Sequence, residues 1–182
     1  MVKNGFLLID DIGLPVDKIL KKFKSDKRKA IEGDTSHTKN YRQGKSLSIT
    51  GLKDWAELDN LFKNKVFEAV SKYNDENGQF IGGNVKDTGY RIHQYPPNAV
   101  ADMHCDGGQH QLNVFLTCLF FLNTVKKGGE LVFPNQGYKV KPKKGSVLVF
   151  PASFAYPHYT NPTKEDRFVA VTWLAFENFR LI

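Results

Sequence analysis

Val114-Phe115-Leu116-Thr117-Cys118-Leu119-Phe120-Phe121-Leu122 is the longest apolar run in the chain. A membrane-spanning helix needs about 18 apolar residues, so a run of this length points to a strand. Residues of both parities are apolar, which means that both faces of that strand must be covered. The flanking sequence has the same texture. Strands are expected at Tyr90 to Tyr95, Leu112 to Asn123, Gly137 to Val140, Ser146 to Phe150, Ala155 to Thr160 and Arg167 to Phe176. Turn signals separate them: Lys127-Gly128-Gly129, Pro134-Asn135-Gln136-Gly137, Lys144-Gly145 and Asn161-Pro162. Short strands at this spacing predict a mainly β fold, a double-sheet jelly roll or barrel, with supporting helices.

Upstream the pattern differs. Phe6 to Asp10 reads as a short strand, and Val16 to Phe23 as a helix behind Leu14-Pro15, with proline in the first turn. Between Leu52 and Tyr73, Trp55, Leu58, Phe62, Val66, Ala69, Val70 and Tyr73 recur at spacings of three and four, which predicts an amphipathic helix. Packed on one sheet, that helix accounts for the second apolar face of the long strand. Asn77-Gly78 and Gly82-Gly83 break the pattern. The expected organisation is a single domain over 1–182, with 1–88 mostly helical support and 89–176 the jelly-roll core.

The 182 residues suit one domain, and 41% hydrophobic with 25% charged residues is ordinary for a globular chain with a sizeable core. Cys105 and Cys118 are too few for a disulfide framework or a cysteine-rich zinc site. The first residues lack the apolar stretch of a secretory signal, so a reduced, cytoplasmic setting without a membrane partner is expected. Lys plus Arg (26) exceed Asp plus Glu (19), giving a net charge of +7. The surplus concentrates in Lys18 to Lys29 and in Lys139, Lys141, Lys143 and Lys144. Both groups read as solvated faces, with a groove for an acidic partner as the alternative.

The histidines are at 37, 93, 104, 110 and 158. His104 and Asp106 flank Cys105, and on an extended backbone residues i and i+2 project to one face. An imidazole and a carboxylate there can grip one metal ion, with His158 as a candidate third ligand. Two histidines and a carboxylate with open positions are the facial triad of non-haem Fe(II) oxygenases. Arg167 follows nine residues after His158, and a hairpin over the Asn161-Pro162 turn is expected to set the two on neighbouring strands. A guanidinium directed into a barrel needs a partner, and a carboxylate supplies one through a two-pronged pair. By parity Arg167, Val169, Val171 and Trp173 share one face. His93 and His110 read as surface or loop histidines, with His110 near the rim of the site.

The order His104-x-Asp106, His158, Arg167 resembles the iron(II)/2-oxoglutarate-dependent dioxygenase superfamily, in its prolyl 4-hydroxylase-like branch. Tyr95, Thr117 to Asn123, Gly128 to Pro134, Pro142 to Pro151 and Arg167 to Trp173 carry the resemblance further. It implies a double-stranded β-helix with Fe(II) bound by His104, Asp106 and His158, which act in catalysis through the iron. It implies 2-oxoglutarate as cosubstrate, with Arg167 on its distal carboxylate, and Tyr95, Thr117, Phe121 and Trp173 along its pocket. Dioxygen is the oxidant, ascorbate an auxiliary reductant, and a prolyl residue of a peptide or protein the implied substrate. Two positions depart from the family: Phe121 stands where relatives often have a carboxylate-binding tyrosine, and Ala101 replaces a second tyrosine. A nucleic-acid alkyl demethylase would use the same cofactors, but its pattern has a second arginine where this chain has Trp173. A non-catalytic binding module is the third reading, and such proteins commonly lose a ligand or the arginine. Substrate recognition is expected from the loops Asp26 to Lys45 and Gly78 to Thr88.

Overall fold

The computed structural model describes residues 1–32, 44–78, 81, 85–107 and 113–177. In chain order these form β1 (Leu7–Ile9), α1 (Val16–Ser25), β2 (Ala30–Glu32), β3 (Gly44–Ser48), α2 (Ala56–Glu76), β4 (Val85–Asp87) and β5 (Arg91–Tyr95). The second half supplies β6 (Val114–Phe121), β7 (Leu131–Phe133), β8 (Tyr138–Val140), β9 (Val147–Pro151), β10 (Tyr159–Thr160) and β11 (Arg167–Phe176). The large sheet runs β1-β9-β6-β11-β5-β3-β2, with β4 also on β11, and the small one runs β10-β7-β8.

Strand parity decides what each face meets. On β6, Leu116, Cys118 and Phe120 point one way, and on β11 Phe168, Ala170 and Leu174 do the same. They bury against Val16, Ile19 and Phe23 of α1 and against Leu58, Phe62, Val66, Ala69 and Tyr73 of α2. Phe62 stacks on Tyr90 at 5.4 Å between ring centroids and meets Phe120 edge-on at 5.3 Å. Burial of an aromatic side chain of this kind stabilises a fold by about 1.5–3 kcal/mol. The opposite faces carry Phe121, Leu148, Phe150 and Val169, which pack with Leu131, Phe133 and Val140 of the small sheet. The result is a two-sheet jelly roll with a helical layer outside it, and the long apolar strand is covered on both faces.

Several local expectations are corrected. The segments from Asp26 to Lys45 and from Gly78 to Thr88 are not loops throughout. They contain β2, the start of β3, and β4, so residues 1–88 hold three strands beyond the expected β1. Gly44-Lys45-Ser46-Leu47-Ser48 has one large apolar side chain, and its strand character comes from pairing with β5, where Leu47 faces Ile92. The strand expected from Ala155 begins only at Tyr159, because Ser153 to Tyr156 form a turn in which the Tyr156 N–H donates to the Ser153 carbonyl. Leu131–Phe133 adds the strand β7 inside the Gly128 to Pro134 segment. Gly82-Gly83, Leu112, His37 and His110 lie outside the described residues.

The hairpin expected between His158 and Arg167 does not form. β10 pairs with β7 in the small sheet, and β11 pairs with β4, β5 and β6 in the large one. The chain crosses from one sheet to the other through Asn161 to Asp166. The Asn161 N–H donates to Glu130 O, and the Thr163 hydroxyl donates to Lys127 O, which anchors that crossing to the β7 side. His158 and Arg167 therefore face each other across the sandwich.

Candidate metal centre and its cavity

Backbone pairing brings the two histidines together. The His104 N–H donates to the His158 carbonyl at 3.0 Å, and the His158 N–H returns the bond at 2.8 Å. This single antiparallel bridge sets the imidazoles side by side, 4.4 Å between centroids. Asp106 follows two residues after His104, and its Oδ1 lies 3.6 Å from His104 Nε2 while its Oδ2 lies 3.8 Å from His158 Nε2. One donor atom from each of the three falls within 4.8 Å of the others.

The tautomers follow from the neighbours. His104 Nδ1 lies 2.6 Å from Asp102 O, and His158 Nδ1 lies 3.1 Å from Tyr156 O. A carbonyl only accepts, so each Nδ1 carries the proton and each Nε2 presents its lone pair toward Asp106. The Thr117 hydroxyl donates to Asp106 Oδ2 at 2.6 Å and fixes the carboxylate's rotation. Two imidazoles with Nδ1 anchored and one oriented carboxylate are a donor set suited to a divalent first-row metal such as Fe(II). Their sheltered positions and the fixed Nδ1 protons fit such an ion.

These groups line a narrow cavity of about 50 Å³ between the sheets, and Arg167 lines it as well. Arg167 is 3% exposed, faces Tyr95 in the β5–β11 register, and its guanidinium carbon sits 4.1 Å from the centre of the Tyr95 ring. Such a stack contributes about 0.5–2 kcal/mol and fixes the plane of the guanidinium. Arg167 Nη2 donates to Thr160 Oγ1 across the sandwich at 3.2 Å. Val169, Val171 and Trp173 line the same wall, as their parity predicts, and Trp173 Nε1 is buried without a hydrogen-bond acceptor among the described residues.

The sequence-predicted residues thus divide. His104, Asp106, His158, Arg167, Tyr95, Thr117 and Trp173 line the cavity. Phe121 does not: it is 1% exposed and packs with Tyr95, Leu148 and Val169 on the same face as Leu119, two residues further along β6. Thr117 proves to be the Asp106 hydrogen-bond donor. His93 is corrected from a surface position to one that is 2% exposed on the cavity wall. Parity carried the signal, since His93 and Tyr95 are i and i+2 on β5. Thr160, missed altogether, lies two residues after His158 and also lines the cavity. Cys105 points away from the cluster, its Sγ 3.7 Å from Phe154 O, and its pKa is raised by burial and then by the Asp106 carboxylate.

Residues 90–175 match the family model described as the 2OG-Fe(II) oxygenase superfamily. No curated protein matches the sequence. Among solved structures, the chain is similar to a prolyl hydroxylase from Trichoplax adhaerens in complex with a hypoxia inducible factor oxygen degradation domain peptide fragment. The TM-score is 0.77 at 21% identity, covering 96% of this chain and 85% of that one. A Pseudomonas putida prolyl-4-hydroxylase gives 0.73 at 19%, covering 96% and 94%. A viral collagen prolyl hydroxylase from Paramecium bursaria Chlorella virus-1, solved as a 2OG complex, gives 0.71 at 16%, covering 95% and 97%. At these identities the likeness is one of fold. No helix among the described residues is long and apolar enough to cross a membrane.

Proposed function

We propose that this chain, whose residues 90–175 match the 2OG-Fe(II) oxygenase superfamily model, is an oxygenase of that kind and hydroxylates a C–H bond of a prolyl residue in a peptide or protein, using Fe(II), 2-oxoglutarate and dioxygen. The observation that carries the reading is one cavity lined both by the His104, Asp106 and His158 donors and by Arg167. When bound, Fe(II) would allow dioxygen, the oxidant, to convert 2-oxoglutarate to succinate and carbon dioxide, with one oxygen atom passing to succinate and the other to the substrate C–H bond.

The chain's own residues position and shelter the reactants. His104 and His158 offer Nε2 lone pairs because their Nδ1 protons are held by Asp102 O and Tyr156 O. Asp106 contributes a carboxylate whose second oxygen Thr117 occupies. Arg167, held flat on Tyr95, takes the distal carboxylate of 2-oxoglutarate in a charge-assisted pair. Leu119, Leu131, Phe150, Val169 and Val171 wall the space with apolar surface, which excludes water and strengthens every charge interaction inside. Ascorbate enters as an auxiliary reductant, without an assigned contact. A peptide substrate is supported by the Trichoplax adhaerens neighbour with its bound peptide fragment.

Two measurements test this. Anaerobic addition of 2-oxoglutarate to the Fe(II)-loaded protein should give a weak visible charge-transfer band. Aerobic incubation with proline-rich peptides should release succinate and raise the peptide mass by one oxygen. Binding without succinate release from any peptide would leave a non-catalytic module, and release with methylated oligonucleotides alone would assign a demethylase.

A further inference from the structure

Thr160 is the residue that this cavity uses and that neither the motif nor the family resemblance assigns. Its hydroxyl offers one donor and two acceptor positions. Both acceptor positions are taken: Ala101 N–H donates to Oγ1 at 2.8 Å and Arg167 Nη2 donates to it at 3.2 Å. Thr160 is 6% exposed and lines the cavity, so its hydroxyl is sheltered from bulk water. Among the described residues no hydrogen bond from that O–H is formed. A buried donor of this kind calls for an acceptor, and the cavity that Thr160 lines is the one that Arg167 lines beside it.

From this count of donors and acceptors we infer that Thr160 Oγ1–H donates directly to the distal carboxylate of the bound cosubstrate, beside Arg167. The inference rests on the 2-oxoglutarate reading above and extends it. It also accounts for Phe121. That side chain has no hydroxyl and does not line the cavity, so the second carboxylate donor comes from the opposite sheet. Arg167 and Thr160 together then form a clamp whose two halves belong to different sheets, joined by the Arg167 Nη2 bond.

The test compares two ligands and a double-mutant cycle. Anaerobic titration of the Fe(II)-loaded protein measures affinity for 2-oxoglutarate and for 2-oxopentanoate, which has the same carbon chain but no distal carboxylate. Thr160→Val should weaken 2-oxoglutarate about tenfold, the expected loss of one hydrogen bond to a charged group, and leave 2-oxopentanoate within about twofold. Thr160→Ser should restore the parent affinity. In an Arg167→Ala background Thr160→Val should still weaken 2-oxoglutarate by a similar factor, because the hydroxyl contacts the ligand itself. Disappearance of the effect in that background would overturn the inference and make Thr160 a support for Arg167 only. Equal loss for both ligands, or loss for neither, would overturn it as well. Should Thr160→Val fail to fold, Thr160→Cys keeps the volume with a poor donor and carries the same comparison. A parent protein that binds no 2-oxoglutarate would instead defeat the proposed function.

Discussion

The two faces of the large sheet are made by the same strands and do different work. On β6, Leu116, Cys118 and Phe120 meet the helices while Thr117 and Leu119 meet the cavity. On β11, Phe168, Ala170 and Leu174 face the helices, while Arg167, Val169, Val171 and Trp173 face the cavity. The helical face is almost wholly apolar, and Cys118 there has its thiol pushed up to about 12 by burial, so it is inert. The cavity face gathers histidine, arginine and threonine at matching parity. Stability and chemistry are thereby assigned to alternate residues, one position apart, and substitutions on the two faces should have separable effects.

The sharpest separation should come from the metal donors and Phe62. His104→Ala, Asp106→Ala or His158→Ala should each abolish succinate production, because an open three-donor site does not hold its ion after losing one ligand. The thermal unfolding midpoint of the metal-free variants should stay close to that of the parent. Phe62→Ala should do the reverse, costing about 3–5 kcal/mol of stability from the helical face, with the per-molecule turnover of the folded fraction retained. Paired unfolding curves and succinate assays check both. A donor variant with near-normal turnover, or a Phe62→Ala protein of parental stability, would break the division between faces.

Arg167 comes next, with a graded effect. Arg167→Ala should raise the apparent Michaelis constant for 2-oxoglutarate roughly tenfold to a hundredfold, as loss of a charge-assisted pair at 1.4 kcal/mol per decade requires. Affinity for Fe(II) should change little, since the guanidinium stands beside Tyr95 and Thr160 rather than the donor cluster. Arg167→Lys should recover part of the loss, because a point charge lacks the planar fork and its stack on Tyr95. Steady-state titration of the cosubstrate, beside a metal titration, separates these outcomes.

What could be read from the sequence follows the same physics. The helix Ala56–Glu76 was legible because Leu58, Phe62, Val66, Ala69 and Tyr73 repeat at helical spacing over many turns. His104 and Asp106 were legible as a pair because i and i+2 on extended chain need no tertiary knowledge. The same rule held information about His93 beside Tyr95 and Thr160 beside His158, but a lone histidine or threonine in a strand carries no chemistry until a cavity surrounds it. β2, β3 and β4 were not legible. Gly44–Ser48 has a weak apolar pattern, and its pairing with β5 joins segments more than 40 residues apart. The crossing between His158 and Arg167 was equally hidden, since a turn sequence does not say whether the chain folds back or passes to the opposite sheet.

The smallest effect should come from the ion pairs on the helical layer, which also decide how its basic surface behaves. Lys18 meets Glu57 at 2.7 Å, Lys22 meets Asp54 at 3.1 Å, and Arg28 bonds both Asp26 and Asp54, so much of the Lys18 to Lys29 charge is answered within the fold. The Arg28 guanidinium, helped by Lys22, holds Asp54 down at about 2, and the same guanidinium holds Asp26 well below the ordinary carboxylate range. A carboxylate with a depressed folded pKa contributes stability that is present above its unfolded value of about 3.9 and is lost as pH falls toward the folded value. Arg28→Gln should therefore lower the unfolding midpoint by about 2–4 °C at pH 7, a typical shift for a small loss in a chain of this size, and the gap from the parent should narrow as pH falls below about 4, with the Asp26 share the last to go because that carboxyl is held lowest. Because these pairs are exposed, added salt should narrow the gap at pH 7 as well. Melting curves across pH at low and high salt are the measurement. A gap that persisted unchanged at pH 2 would mean that Arg28 acts through packing rather than charge, and the helical layer would then owe its stability to apolar contacts alone.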